Sequence, residues 1–274
     1  MNLASVALPD GRTISCVNAY EVEFSVHEIF SSDLTDHGIN LPADGTYFDV
    51  GANIGLFALF LEAQCPQASI FAYEPMTEAF AALDRNLRDF VPAAHAFPIA
   101  MGAAPGVAEF DYFPGVTSLS NCNPQVGNKL AGGIRSMLTA QRDTPVGDIL
   151  DRTGANELSQ DPGFVDHLLR AEKVHARVET LSREISAHQV NQIDLLKIDT
   201  EGAEKDVLAG IAAEDWPKIR QLMVEVHLGR QETENIASDL ERRGFRTSIG
   251  DHPLAQYGAP VFHVYAMRRG APHE

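Results

Sequence analysis

Asp49-Val50-Gly51-Ala52-Asn53-Ile54-Gly55 is the stretch that decides the fold, because it joins an apolar strand, Tyr47–Val50, to an apolar helical run from Leu56 to Ala63. Glycines let a backbone turn tightly and approach a ligand closely, and the helix that follows offers free N–H groups. Glu74 lies about twenty residues further on, after a second strand, where a carboxylate accepts both hydroxyls of a ribose. The pattern predicts a nucleoside site.

The residues of this turn also indicate which nucleoside binds. The dinucleotide fingerprint has glycine at the middle position, where a pyrophosphate meets the backbone, and this chain has Asn53 there. Asp49, just before the turn, would repel phosphate and favour a cation such as the sulfonium of S-adenosylmethionine. A nicotinamide oxidoreductase and a nucleoside-triphosphate enzyme are therefore disfavoured, and S-adenosylmethionine is the expected cofactor.

Strand and helix patterns alternate along most of the chain, which predicts one Rossmann-like α/β domain over residues 1–274. We expect a mostly parallel seven-stranded sheet with helices on both faces. Residues 1–45 are expected to form an N-terminal extension of short extended segments, and residues 113–180 an inserted, lid-like segment with a helix over 164–175. The Rossmann-like core then spans 46–112 and 181–274. Further strands are predicted at 96–101, 193–198, 222–226 and 261–267.

Polar residues follow several of these strands, and ligands of such sheets bind at the carboxyl ends of the strands. Asp199, Glu201 and His227 are therefore the candidate catalytic residues. His227 is the favoured base, since imidazole titrates near neutral pH, with a strand-end hydrogen bond as its structural alternative. Glu201 either faces the substrate or stabilises the start of the next helix. The same three residues are also a minor hypothesis for a divalent-metal site, although no metal is expected.

The bulk composition limits the partners. The formal net charge is −17, which disfavours nucleic acids and anionic membranes because both attract basic proteins. The three cysteines are scattered without metal-binding spacing, and no secretory signal or apolar span long enough for a bilayer is apparent. A cytoplasmic protein acting on a small-molecule or carrier-bound substrate is expected.

Several segments together resemble the FkbM family of methyltransferases. The resemblance is carried by DVGANIGLF (49–57), YEPMTEAFAALDRNL (73–87), IDLLKIDTEGAEKDVLAGI (193–211) and MVEVH (223–227), and more weakly by HEIF (27–30), HGINL (37–41) and PGVTSLSN (114–121). It covers most of the chain in the same order, apart from roughly 122–180, which does not align.

The resemblance implies a class I methyltransferase fold, S-adenosylmethionine as cofactor and usually methylation of a hydroxyl oxygen, in many cases in natural-product or saccharide pathways. The alternatives are N- or C-methylation and a non-catalytic nucleoside-binding module. The expected cofactor contacts are Asp49, Gly51, Ala52, Asn53, Gly55, Glu74, Pro75, Ser118 and Asp199.

Overall fold

A seven-stranded sheet forms the centre of the molecule. The computed structural model describes residues 3–30, 34–123, 126–132, 162–252 and 260–270. The strands of this sheet are β3 (Thr46–Val50), β4 (Ser69–Tyr73), β5 (Ala94–Phe97), β9 (Leu195–Ile198), β10 (Gln221–Val226), β11 (Phe245–Asp251) and β12 (Phe262–Arg268). Their order is β11-β12-β10-β9-β3-β4-β5.

All neighbouring strands from β10 to β5 run parallel, whereas β12 is antiparallel to both β10 and β11. The chain reverses its strand order between β3 and β9, the kind of switch point at which α/β sheets bind ligands. The predicted Rossmann-like class I methyltransferase fold with a mostly parallel seven-stranded sheet is confirmed.

Helices cover both faces of this sheet. They are α1 (Ala19–Phe30), α2 (Leu56–Gln64), α3 (Thr77–Phe90), α4 (Pro162–Leu168), α5 (Leu181–Ala187), α6 (Glu204–Ala209) and α7 (Arg230–Arg242). Successive strand residues enter opposite cores: Tyr47 packs in the cluster that contains α2 and α3, and Phe48 in the cluster that contains α5 and α7. The sheet is buried on both faces, as strands of parallel sheets usually are. Within the described residues, no helix is long and apolar enough to cross a membrane.

Several predicted elements differ from those observed. The predicted strand over 96–101 is two strands, β5 and β6 (Ala100–Met101), in different sheets. The predicted helix over 164–175 ends at Leu168, and the chain then forms β8 (Glu172–Glu179), because this segment pairs with β7 (Gly106–Tyr112). The N-terminal segment contains α1 in addition to a hairpin of β1 (Ala4–Ala7) and β2 (Thr13–Cys16). The middle of the predicted lid, 133–161, lies outside the described residues.

A small three-stranded sheet, in the order β6-β8-β7, is separate from the main sheet. Its own core contains Met76, Phe110 and Ala176. β6 and β7 precede the predicted insertion and β8 lies within it, so the predicted boundary at 113 separates β7 from its partner β8. The small sheet supplies one wall of the cavity described below.

The turn after β3 is held against the neighbouring strands. Gly51 and Gly55 have φ angles of 84° and 89°, a left-handed conformation that favours glycine. The backbone N–H groups of Gly51 and Ala52 both donate to the carbonyl of Tyr73, each at 3.0 Å. A Cβ atom on Gly51 would lie 1.7 Å from the carbonyl oxygen of Asp199, which leaves no room for a side chain. The turn therefore lies directly against the end of β9.

We expect Gly51→Ala to destabilise the fold by about 1–3 kcal/mol or more, because it combines an unfavourable φ with a backbone clash. Urea unfolding measures this loss. The matched control is Gly132→Ala, where an added methyl meets nothing within 4 Å and φ is not left-handed. Equal stability of the two variants would contradict the close approach.

Candidate active site

A cavity of about 480 Å³ opens at the carboxyl ends of β3, β4 and β9. This volume lies within the range of small-molecule sites, about 300–1,000 Å³. The turn after β3 and the segment after β4 form one side, and the small sheet contributes Val107, Ala108, Phe110 and Val178. The cavity thus combines a polar strand-end side with an apolar wall.

Glu74 is buried at the end of β4, and its carboxylate is already oriented by the backbone. One oxygen accepts the N–H of Asn53 at 2.9 Å and the other accepts the N–H of Met76 at 2.7 Å. A carboxylate has about four acceptor positions, so each oxygen retains capacity for a hydroxyl. Burial raises the pKa of Glu74 to about 7, and the two backbone hydrogen bonds oppose that shift. This geometry fits a ribose diol.

Lys197 stands between two carboxylates beneath the cavity. Its Nζ lies 3.4 Å from Asp49 Oδ1 and 3.0 Å from Asp199 Oδ2. Burial works against the ammonium, but Asp199 and Asp49 outweigh it and raise the pKa of Lys197. Asp49 is completely buried and does not line the cavity, so its charge acts through Lys197.

The segment after β9 brings two carboxylates to the cavity wall. Asp199 and Glu201 both line it, and Glu201 has a φ of 51°, a conformation uncommon for a non-glycine residue. Glu201 Oε2 lies 3.1 Å from His227 Nε2. Burial raises the pKa of Glu201 well above its usual range, although His227 opposes the shift. Glu201 therefore faces the cavity with an imidazole behind it.

His227 is only 2% exposed and does not line the cavity. Its Nδ1 lies 2.8 Å from Glu204, and its Nε2 lies 3.1 Å from Glu201 and 3.2 Å from Glu225. Burial alone would lower the pKa of His227, but the surrounding carboxylates outweigh it and raise that pKa well above the usual value. A substrate in the cavity thus meets Glu201 before His227.

A buried acid that contacts the cavity lining was also not predicted from sequence. Glu21, on α1, accepts a hydrogen bond from Thr117 Oγ1 at 2.9 Å and lies 3.4 Å from the backbone N–H of Ser118. Thr117 Oγ1 also lies 3.0 Å from Asn53 Oδ1, so α1 is linked to the glycine turn. Burial raises the pKa of Glu21 to about 7. The only signal in the sequence is an acid at the start of a helix that was itself missed.

The structure brings most of the predicted site residues to one place. Those that line the cavity are Gly51, Asn53, Glu74, Pro75, Ser118, Asp199 and Glu201. Asp49, Ala52, Gly55 and His227 lie behind this lining, and their predicted roles, like those of the lining residues, stay predictions. Donor atoms of Asp199, Glu201 and His227 lie within 4.8 Å of one another, so the minor metal hypothesis also keeps a geometric basis.

The family description "Methyltransferase FkbM domain" matches residues 49–247, which include the turn, Glu74, β9 and His227. This chain belongs to the FkbM methyltransferase family. The cavity agrees with the cofactor that this family uses. The chain is an S-adenosylmethionine-dependent methyltransferase. The sequence-based family and cofactor predictions are confirmed.

Curated relatives extend this family match over nearly the whole chain. The 31-O-demethyl-FK506 methyltransferase FkbM of Streptomyces tacrolimicus is 31% identical and the match covers 97% of both chains. The AMB antimetabolite synthetase AmbE of Pseudomonas aeruginosa is 33% identical over 97% of this chain, but this chain spans only 12% of that protein. A crystal structure of a methyltransferase FkbM from Methylobacillus flagellatus has 14% identity and a TM-score of 0.49, over 84% of this chain and 45% of that one.

The residues present fit S-adenosylmethionine. Glu74 offers a carboxylate to the ribose, the apolar wall of the small sheet suits an adenine ring, and Asp199 offers a negative charge to the cationic end. We expect the ionised form of Glu74 to bind the diol, so affinity should fall as pH decreases through about 7.

Calorimetric titration with S-adenosylmethionine between pH 8 and pH 5.5 tests this expectation. Well below the pKa, the dissociation constant should rise by up to about tenfold per pH unit. Glu74→Gln should bind more weakly at pH 8 and lose this slope. An unchanged slope in the variant would show that Glu74 is not the titrating group.

Proposed function

We propose that the protein transfers a methyl group from S-adenosylmethionine to a hydroxyl oxygen of a small-molecule or carrier-bound natural product or saccharide. The observation that carries this proposal is the end-to-end similarity to a relative named for O-methylation of FK506. A match over 97% of both chains includes the strand ends that line the cavity, not the cofactor turn alone.

A hydroxyl needs a proton acceptor, because its pKa lies far above neutral. The bound cofactor supplies the activated methyl group, and the chain must orient the acceptor and take its proton. Glu201 is the group we assign to this task, since it lines the cavity and His227 holds its carboxylate from behind at 3.1 Å. In this arrangement His227 is a positioning residue, in place of the direct base expected from sequence.

The synthetase relative supports a carrier-bound acceptor. This chain resembles a segment that makes up about an eighth of AmbE, so a similar unit occurs inside a much longer synthetase. The net charge of −17 further favours a small or tethered acceptor over a nucleic acid. N- or C-methylation of a similar metabolite is the alternative within the same family.

Labelled S-adenosylmethionine and an extract of the source organism, separated into small molecules and carrier proteins, test the acceptor class. We expect the label in a methyl ether, identified by mass spectrometry. Label on nitrogen or carbon would contradict O-methylation. Tight cofactor binding without any labelled product would favour a non-catalytic module.

We expect Glu201→Gln to lower kcat by about 10²–10⁴-fold, the usual contribution of a positioned acid or base, with little change in cofactor affinity. The matched control is Asp206→Asn, another carboxylate that lines the cavity but has no assigned role. His227→Ala should lower kcat while the dissociation constant of the cofactor stays near that of the parent. Full activity of Glu201→Gln would refute its assignment as the proton acceptor.

A further inference from the structure

A second group of side chains of the types that bind metal ions lies outside the cavity lining. It consists of Glu225, His252 and His263, whose donor atoms lie within 4.8 Å of one another. All three residues are buried, at 8%, 4% and 6% exposure. Buried histidines and a carboxylate that converge on one point are a more specific pattern than an exposed acidic patch.

The sheet brings these residues together from β10, from β12 and from the position directly after β11. Glu225 on β10 is paired directly with His263 on β12, so their side chains share one face. Gly250 on β11 is the partner of His263 on the other side, and His252 lies two residues further along. His252 follows the last residue of β11 and points back to the same carboxylate. Strand register therefore fixes the positions of Glu225 and His263, and His252 follows directly after the end of β11.

The distances are compatible with ligands of one cation, and the contact between His263 and Glu225 is also within hydrogen-bond range. Nε2 of His263 lies 3.3 Å from Glu225 Oε2, and Nε2 of His252 lies 3.5 Å from Glu225 Oε1. Charge-assisted hydrogen bonds are shorter, at about 2.7–2.9 Å. Two ligands bound to tetrahedral Zn²⁺ at about 2.1 Å are separated by roughly 3.4 Å. The two observed separations are close to that value, although each runs to a different oxygen of the Glu225 carboxylate.

We propose that Glu225, His252 and His263 bind one divalent transition-metal ion, with Zn²⁺ as the preferred ion. Two imidazoles and one carboxylate are a donor set that favours Zn²⁺ and related ions over Mg²⁺ or Ca²⁺. A bound cation would compensate the buried charge of Glu225. Because the ligands are not part of the cavity lining, we assign the ion a structural role: it fastens the β11–β12 pair to β10.

This ion would also support the active site indirectly. Glu225 Oε1 lies 3.2 Å from His227 Nε2, and His227 in turn contacts Glu201. Fixing Glu225 therefore limits where His227 can lie. The proposal does not depend on which acceptor is methylated.

The test is metal analysis of the whole protein, purified without metal-affinity chromatography. Elemental mass spectrometry should find close to one Zn²⁺ per chain, either as purified or after chelation and dialysis against Zn²⁺, and Zn²⁺ should raise the melting temperature of the chelated protein. No bound metal and no thermal shift in the unaltered protein would overturn the proposal, without reliance on any variant.

Variants then locate the ion. His263→Ala and His252→Gln should each weaken Zn²⁺ binding by at least about tenfold, since even partners of ligands contribute that much. The matched control His175→Ala removes an exposed histidine on β8 and should bind Zn²⁺ normally. If Asp199→Asn abolished binding while His252→Gln, verified as folded by circular dichroism, retained it, the metal would belong to the cavity-facing residues and the proposal would be wrong.

Discussion

The buried ammonium of Lys197 is the interaction on which the site depends. Asp49 on β3 is its register partner, and Asp199 follows two residues later in the chain. The ammonium therefore lies between the buried carboxylate of Asp49 and the cavity-facing carboxylate of Asp199. An uncompensated charge at this depth would be costly, and each member of the group needs the others. The same contact places Asp199 where the glycine turn meets β9.

Around this contact, carboxylates lie at the cavity surface and the positively charged groups lie deeper in the protein. Glu74, Asp199 and Glu201 face the cavity, whereas Lys197 and His227 lie behind them and are buried. The cavity therefore presents carboxylates to a ligand, while their positive partners are shielded from it. A sulfonium ion and a polar acceptor both suit such a surface, whereas a pyrophosphate does not.

The parts of this molecule that sequence predicted correctly are those with local signals. Each of them occupies a few consecutive residues that indicate a single structure. They are the glycine turn, the acid at the end of β4 and the β9 strand. β11 was missed because its sequence, FRTSIGD, shows no apolar alternation, and it is an edge strand with mostly half-buried residues. The α1 helix had a signal in Val22 and Val26, which are spaced one turn apart and buried, but the surrounding segment was interpreted as extended.

Other features could not be predicted from local sequence patterns. The pairing of β7 with β8 joins segments that are far apart in the sequence, so only the fold reveals that the cavity wall is a sheet. The position of β12 has a practical corollary. This strand lies between β10 and β11, yet it begins after residue 247, where the family match ends. A protein cut back to the matched region would keep only the first three residues of β11 and would lose β12, leaving an open hydrogen-bonding edge on β10 that invites aggregation.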